Sequence, residues 1–395
     1  MAVSFQIRNA IYHSDSRTEF RISDGLISKL KVTNVTQTGA AARYFKQVTG
    51  VYGMLNRVSL YLGSTLISSV AYPNVVGGIH DCMRGNNYKQ YLNRSKSCSS
   101  LSAITMAPTT ITGAGIRASL AYTALSPQVN TLFYATIDLS ILFPILALGH
   151  FIDSDATPIR ILIEWGDLTT NVDAGDPADI ISSPLIIYNR LQSGLSQTET
   201  KALTLPDSFV FPRYEFDTVT LNTGTVGGPI SNLNIRGQRL ANLSGKFINE
   251  IVAVNLDANQ SFRALDFSTS TNLSVDGMRV AANDLNSYAR RASTLGLQPD
   301  FYCPVWGNAR SRYIAGADSD FQWLAAGTPA VACSRQVEYR AAMELFPAYK
   351  KTSRVQADVI ATANIAGDLF TRVFIASVIC SYNAKKGNEP VIAPV

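Results

Sequence analysis

Ile159-Arg160-Ile161-Leu162-Ile163-Glu164-Trp165 alternates with a period of two. Successive side chains of a strand point to opposite sides, so Ile159, Ile161, Ile163 and Trp165 share one face while Arg160 and Glu164 take the other. A helix would scatter the same residues around its circumference, so the stretch predicts a half-buried strand. The pattern recurs along the chain. In Arg57–Leu62, Val58, Leu60 and Leu62 alternate with Ser59 and Tyr61. Asn249–Leu256 and Leu369–Tyr382 are rich in β-branched and aromatic residues, which suit a pleated surface. Leu273–Val280 carries Asp276-Gly277 in its middle, the two-residue signal of a hairpin.

Ala107–Gly115, Asp173–Pro184 and Leu221–Asn232 are clusters of Gly, Ser, Thr, Asn and Pro and read as turns and loops. Short helices are expected at Asn283–Leu295 and Ser334–Glu344. Strands do not alternate with long helices, so a parallel α/β sheet is excluded in favour of antiparallel sandwiches. Residues 1–20 and the Asn383–Val395 tail read as polar, unpatterned and mobile.

The sequence also repeats. Leu-Phe-Pro occurs at Leu142–Pro144 and again at Leu345–Pro347, about half a chain length away, and each copy precedes a strand pattern, Ile159–Trp165 and Val355–Ala361. Leu55–Leu62 resembles Ile248–Leu256 at nearly the same offset. Two ordered matches at half length predict one duplicated β domain. The join falls near Ser183–Gln197, giving a first domain at 1–190 with a short N-terminal arm and a second at 191–395 with a C-terminal tail.

A chain of 395 residues exceeds the size at which single cores stop growing, which also favours two domains. Apolar residues make up 46% and charged residues 16%, against about 25% charged in a typical soluble domain. Such a chain either sits in a membrane or has much of its surface covered by partners. The most apolar stretch, Thr131–Ile152, is broken by Asp138, Pro144 and His150 and does not suit a spanning helix. Met1–Ser16 lacks the apolar region of a signal peptide, so synthesis in a cytoplasm is expected. Cys82, Cys98, Cys303, Cys333 and Cys380 are odd in number without close pairing and read as free thiols. The net charge of +5 is scattered, with Arg290–Arg291, Lys350–Lys351 and Lys385–Lys386 the largest clusters. No basic groove and no basic–aromatic interleave is visible, so sequence-specific nucleic-acid binding is not expected.

Motifs that carry chemistry fail on context. Gly113–Ala118 fits G-x-G-x-x-A, yet the following Ser-Leu-Ala-Tyr-Thr-Ala-Leu-Ser-Pro is too short and β-prone for the helix that holds a pyrophosphate, and Asp138 downstream lies in a strand pattern. Asp153/Asp155, Asp173/Asp176/Asp179 and Asp318/Asp320 lack the order of an EF-hand and read as acidic turns. His13, His80 and His150 have no zinc-site spacing, and no nucleophile elbow or Walker loop occurs. Sequons begin at Asn34, Asn93, Asn242, Asn259 and Asn272 and, without an export signal, read as unused. No catalytic, cofactor-binding or metal-ligating residue is expected, and no cofactor.

Three segments resemble the double jelly-roll major capsid proteins of tailless icosahedral viruses. Met54–Ser68 looks like that family's early strand and short Gly turn. Ala135–Trp165 looks like its strand, its Leu/Phe/Pro-rich connection and the charged loop and strand that follow. Arg340–Ala361 looks like the same feature in a second roll. The family spans adenovirus hexon, membrane-containing phages, virophages and polinton-like elements. The resemblance implies an all-β chain of two tandem antiparallel eight-stranded jelly rolls with short connecting helices. It implies homotrimers of pseudo-hexagonal outline that tile a virion shell, meeting neighbouring trimers and minor capsid, cement and vertex proteins. An amphipathic N-terminal helix marks members that rest on an internal membrane. Phe5–Tyr12 is a weak candidate for one, which leaves the membrane open. The chain is short for the family, so tall outward loops are not expected. The rival readings are a vertex or spike component, a carbohydrate-binding β-sandwich and an enzyme on a β scaffold.

Overall fold

The structure is a computed structural model describing residues 3–35, 37–38, 44–45, 50–77, 135–166, 172–173, 180–181, 183–192, 196–206, 208–222, 232–256, 270–281, 343–351, 354–362, 369–383 and 391–394. Antiparallel strands dominate it. The first set comprises β1 (Val3–Asn9), β2 (Tyr12–His13), β3 (Arg17–Ile22), β4 (Leu26–Val35), β5 (Gln37–Thr38), β6 (Tyr44–Phe45), β7 (Leu55–Leu62), β8 (Thr65–Val70), β9 (Ala135–Asp138), β10 (Ile152–Asp153), β11 (Ile159–Trp165), β12 (Val172–Asp173), β13 (Ile180–Ile181) and β14 (Leu185–Leu191). One sheet runs β1-β14-β4-β10, with β9 also on β4, and the facing sheet runs β2-β3-β11-β7-β8. The small pairs β5–β13 and β6–β12 extend the ladders beyond them.

The second set comprises β15 (Ser208–Asn222), β16 (Asn232–Arg239), β17 (Phe247–Leu256), β18 (Ser270–Val275), β19 (Met278–Ala281), β20 (Met343–Lys351), β21 (Val355–Thr362), β22 (Leu369–Asn383) and β23 (Val391–Pro394). Its sheets run β15-β22-β17-β20, with β23 on β22, and β16-β21-β18-β19. In each set the first four strands pair with the last four in reverse order. The pairs are β1–β14, β3–β11, β4–β10 and β7–β8, then β15–β22, β16–β21, β17–β20 and β18–β19. This nested pairing is the rolled hairpin of a jelly roll, present twice, as the all-β double-roll reading expected.

Burial follows the period-two reading. β11 alternates strictly, with Ile159, Ile161 and Ile163 fully buried and Arg160, Leu162 and Glu164 half-buried. It lies between β3 and β7, whose Phe20, Val58 and Leu60 meet the same face. The β18–β19 hairpin turns at Asp276 (φ 52°) and Gly277 (φ 81°), the left-handed pair a type I′ turn demands.

The duplicated sequence elements behave unequally. Both Leu-Phe-Pro copies fall at the sixth strand position. In the second roll Leu345–Pro347 lies within the continuous β20. In the first roll that strand is split into β9 and β10. Leu142–Pro144 there ends the helix Leu139–Leu142 and starts the 3₁₀ turn Pro144–Ala147. The other match joined strands that are not equivalent: Leu55–Leu62 is the fourth strand of its roll, whereas Ile248–Leu256 lies in the third strand of the other. The duplication holds in topology, not in that alignment.

Other expectations are corrected. Residues 1–20 are not an unpatterned arm, because β1 pairs along its whole length with β14 and Arg17–Ile22 pairs with β11. Phe5–Tyr12 is strand, not helix. Within the C-terminal tail, Val391–Pro394 pairs with Cys380–Asn383 of β22. Met343 and Glu344, placed at the end of a helix, open strand β20, and the rest of that segment and Asn283–Leu295 lie outside the described residues. So do Ala107–Gly115 and most of 71–134 and 282–342, the long connections between the fifth and sixth strands of each roll, where tall loops were not expected.

The rolls are joined by more than covalent linkage. A linker helix Gln197–Leu203 is closed at its start by a capping box between Ser196 and Glu199. Its exit is tied to the first roll: Phe151 N donates to Leu203 O at 2.8 Å, and Leu205 N donates to Phe151 O at 2.9 Å. Tyr72, just after β8, lies 5.7 Å from the Phe216 ring of β15, and Arg213 donates to Ile67 O of β8 at 3.4 Å. Buried side chains of both rolls form one cluster.

Two glycines separate packing from backbone strain. A Cβ at Gly77 would sit 2.6 Å from Tyr52 Cγ, and Tyr52 is fixed by a 3.1 Å bond from Asp138 N to its hydroxyl. Gly77→Ala is expected to lower stability by about 1–3 kcal/mol through overpacking. Gly277→Ala has open space but a left-handed φ, and is expected to cost about 1–2 kcal/mol. Denaturant unfolding of the two variants checks both values.

Candidate functional site

The polar clusters of the described residues serve the fold. Asp153 Oδ1 accepts from the backbone N of Asp155 and Ala156, each at 3.2 Å, which makes this acidic pair a turn. Asp138 caps the helix Leu139–Leu142, accepting from Ser140 N at 3.1 Å, and pairs with Lys31 at 3.3 Å. That explains its place inside an apolar stretch. His13 bonds Thr18 Oγ1 at 2.8 Å, and His150 is exposed. The sequon residue Asn242 donates its side-chain amide to Phe216 O at 3.0 Å, closing the turn before β17. Cys380 is buried, and burial pushes its thiol up. His80, Cys82, Cys98, Cys303, Cys333, Gly113–Ala118 and Asp318/Asp320 lie outside the described residues, as does all of Asp173/Asp176/Asp179 but the backbone of Asp173 in β12. Among the described residues no group of three or more His, Cys, Asp or Glu is placed to hold a metal, and no helix is long and apolar enough to cross a membrane.

One network shapes a surface. The β3–β4 turn carries Asp24, whose Oδ2 accepts from Tyr188 OH at 2.5 Å and Arg8 Nη2 at 3.2 Å, and whose Oδ1 takes Arg190 Nη1 at 3.1 Å. Arg8 is on β1, Tyr188 and Arg190 on β14. Burial, together with the hydrogen bond to Asp24 and its negative charge, pushes the Tyr188 hydroxyl up to about 12. Ser154 completes the turn, donating to Gly25 O at 2.7 Å and accepting from Asp24 N at 2.8 Å.

Tyr188 and Ile186 face the core, so the register of β1 on β14 turns Ser4, Gln6 and Arg8 inward to the mouth of the roll. The outward side of β1 is then Val3, Phe5 and Ile7, exposed by 43%, 76% and 57%. Leu185 and Ile187 continue this side on β14. The polarity of a solvated edge strand is inverted here.

The facing sheet of the same roll has the opposite exterior. Arg160 bonds Glu19 at 2.6 Å and lies 5.0 Å from the Tyr61 ring centroid, while Arg17 pairs with Glu19 at 2.9 Å. Glu164 sits opposite Arg57. That exterior suits water. The β1–β14 exterior suits a covering partner, since contiguous exposed apolar surface marks interaction sites. From the sequence, Phe5 and Ile7 of this surface entered only as part of Phe5–Tyr12, read as a weak amphipathic helix and not as the outer side of a strand. The alternation Val3, Phe5, Ile7 was its available signal, but a period of two does not say which side faces in.

The sequence matches no protein-family model and no curated protein. Solved structures share the fold. The capsid of PBCV-1 virus aligns at TM-score 0.58 and 10% identity over 100% of this chain and 97% of that one. A chain of the Sputnik virophage aligns at 0.55 and 10% over 100% and 88%. The mavirus major capsid protein aligns at 0.55 and 10% over 99% and 90%. The chain has the double jelly-roll fold of these structures.

Two substitutions test the inner polar groups. Thr18 is fully buried and accepts the indole N–H of Trp165 at 2.8 Å. Thr18→Val leaves that donor unsatisfied and is expected to cost about 1–3 kcal/mol in denaturant unfolding. The raised Tyr188 hydroxyl stabilises the fold fully below pH 10, and this contribution is lost as the pH rises towards about 12. The alkaline fall in stability is expected to be shallower in Tyr188→Phe, read as thermal midpoint against pH.

Proposed function

We propose that this chain is a major capsid protein, a structural subunit without catalytic activity whose homotrimers of pseudo-hexagonal outline tile an icosahedral shell. It works in the virion after synthesis in the host cytoplasm, against neighbouring trimers and minor capsid, cement and vertex proteins. Its two rolls, 1–190 and 191–395, are the two domains, each filling one position of the pseudo-hexagon. The observation that carries this reading is the divided exterior of the first roll, charged on the β11 sheet and apolar on the β1–β14 ladder. An enzyme needs converging polar groups at a substrate cleft, and among the described residues the polar groups close turns, caps and the mouth of the first roll. A shell subunit needs apolar exterior for its neighbours, because interface cores are poor in charge. The 16% of charged residues agrees with extensive coverage. The fold shared with the mavirus major capsid protein supports the same reading.

The test is the native mass by light scattering, with negative-stain imaging of the same peak. A species of about 128 kDa, three copies of 42.8 kDa, with a hexagonal outline is expected. A monomer at all concentrations overturns the reading.

A further inference from the structure

A chain of hydrogen bonds holds the edge hairpin of the first roll, and chemistry fixes its direction. β2 ends its sheet among the described strands and meets β3 at two register pairs, Tyr12 with Glu19 and His13 with Thr18. Thr18 Oγ1 lies 2.8 Å from the indole Nε1 of Trp165 and 2.8 Å from His13 Nδ1. An indole N–H can only donate, so Thr18 accepts from Trp165. The Thr18 hydroxyl carries one proton of its own and is fully buried. Among the described residues, the acceptor that this proton reaches is His13 Nδ1. The bonds therefore run from Trp165 to Thr18 to His13. Nδ1 must offer a lone pair, so the chain is complete only with a neutral ring that carries its proton on Nε2.

A protonated ring donates from both nitrogens. Thr18 Oγ1 then meets two donors, and its own proton is left buried without a partner, which is costly. Imidazole is the side chain that takes up its proton between pH 8 and pH 5. The charges of the adjoining strands point elsewhere. Arg17, Glu19, Arg160 and Glu164 lie on the outer side of the sheet, opposite to the face that Thr18 buries, and Glu19 is held by Arg17 and Arg160. Arg8, the inward charge of β1 on the facing sheet, is drawn to Asp24 at 3.2 Å. Asp15 is exposed in the turn between β2 and β3.

We propose that His13 is an acid-sensitive latch on the N-terminal hairpin. The neutral ring holds β2 on β3, and the protonated ring releases it. The folded hairpin favours the unprotonated ring, so its stability is present at neutral pH and is lost as the pH falls. Release is local, because β3 keeps its six register pairs with β11 while β2 has two. The freed segment is the connection from β1 to the rest of the roll and carries Ile11 and Tyr12, exposed by 60% and 53%.

Amide hydrogen exchange of residues 10–20, read by mass spectrometry at about pH 7.5 and about pH 5.5 and corrected for the intrinsic rate, tests the latch. In the unaltered chain, opening of this segment is expected to be about 10-fold more frequent at the lower pH, as for a buried hydroxyl that loses its partner. His13→Asn sets an amide oxygen where Nδ1 stands, which accepts the Thr18 proton at either pH. Its segment is expected to open equally often at both. Equal opening at both pH values in the unaltered chain, a measurement that needs no variant, overturns the latch. A pH dependence that persists undiminished in folded His13→Asn overturns it as well.

Discussion

Nested antiparallel pairing is the constraint on which the molecule depends. A strand such as β11 has one apolar side and can hide it only if another sheet lies over it. Folding the first four strands of each roll back on the last four supplies both sheets at once and gives each strand a neighbour. Val58, Leu60, Phe20 and the β11 isoleucines then meet in one interior. At roughly 25 cal/mol per Å² of apolar surface removed from water, these side chains supply the dominant favourable term. The polar residues act where the pairing ends, at turns, caps and the mouth of the roll.

The mouth explains the exterior. Asp24 gathers Arg8, Arg190 and Tyr188, which draws the polar side of β1 inward and leaves Val3, Phe5 and Ile7 outside. One carboxylate on a turn therefore sets the chemistry of a surface on the far side of a strand. An exposed Phe–Ile stripe is an aggregation hazard on a monomer, and a sheet edge beside it adds to the hazard.

The two rolls share topology while their local structure has diverged. The sixth strand is continuous in the second roll and broken by a helix and a 3₁₀ turn in the first, although Leu-Phe-Pro stands at that position in both. In the first roll, the break places Pro144–Ala147 against β15, and the helix it contains is capped by Asp138. The interruption of one roll is thus part of the joint with the other.

The strands in the middle of each roll could be read from the residues because their sides differ in polarity: Ile159–Trp165, Leu55–Leu62 and the Asp276-Gly277 hairpin carry their own geometry. The repetition of such patterns predicted a duplicated β domain, and the double jelly roll was what the resemblance implied. At the ends of the chain, the patterns are present but ambiguous. Val3–Asn9 and Val391–Pro394 become strands only because β14 and β22 offer them open edges, and an edge belongs to the sheet, not to the segment that joins it. The equivalence of strands also escaped the sequence, since Leu55–Leu62 and Ile248–Leu256 look alike but hold different places. The sequence by itself determined which residues alternate and where the chain turns, because both are local properties of the backbone. Only the tertiary structure decided which side of β1 faces water, because that choice is made by Asp24, Tyr188 and Arg190, groups distant in sequence that meet once the roll has closed.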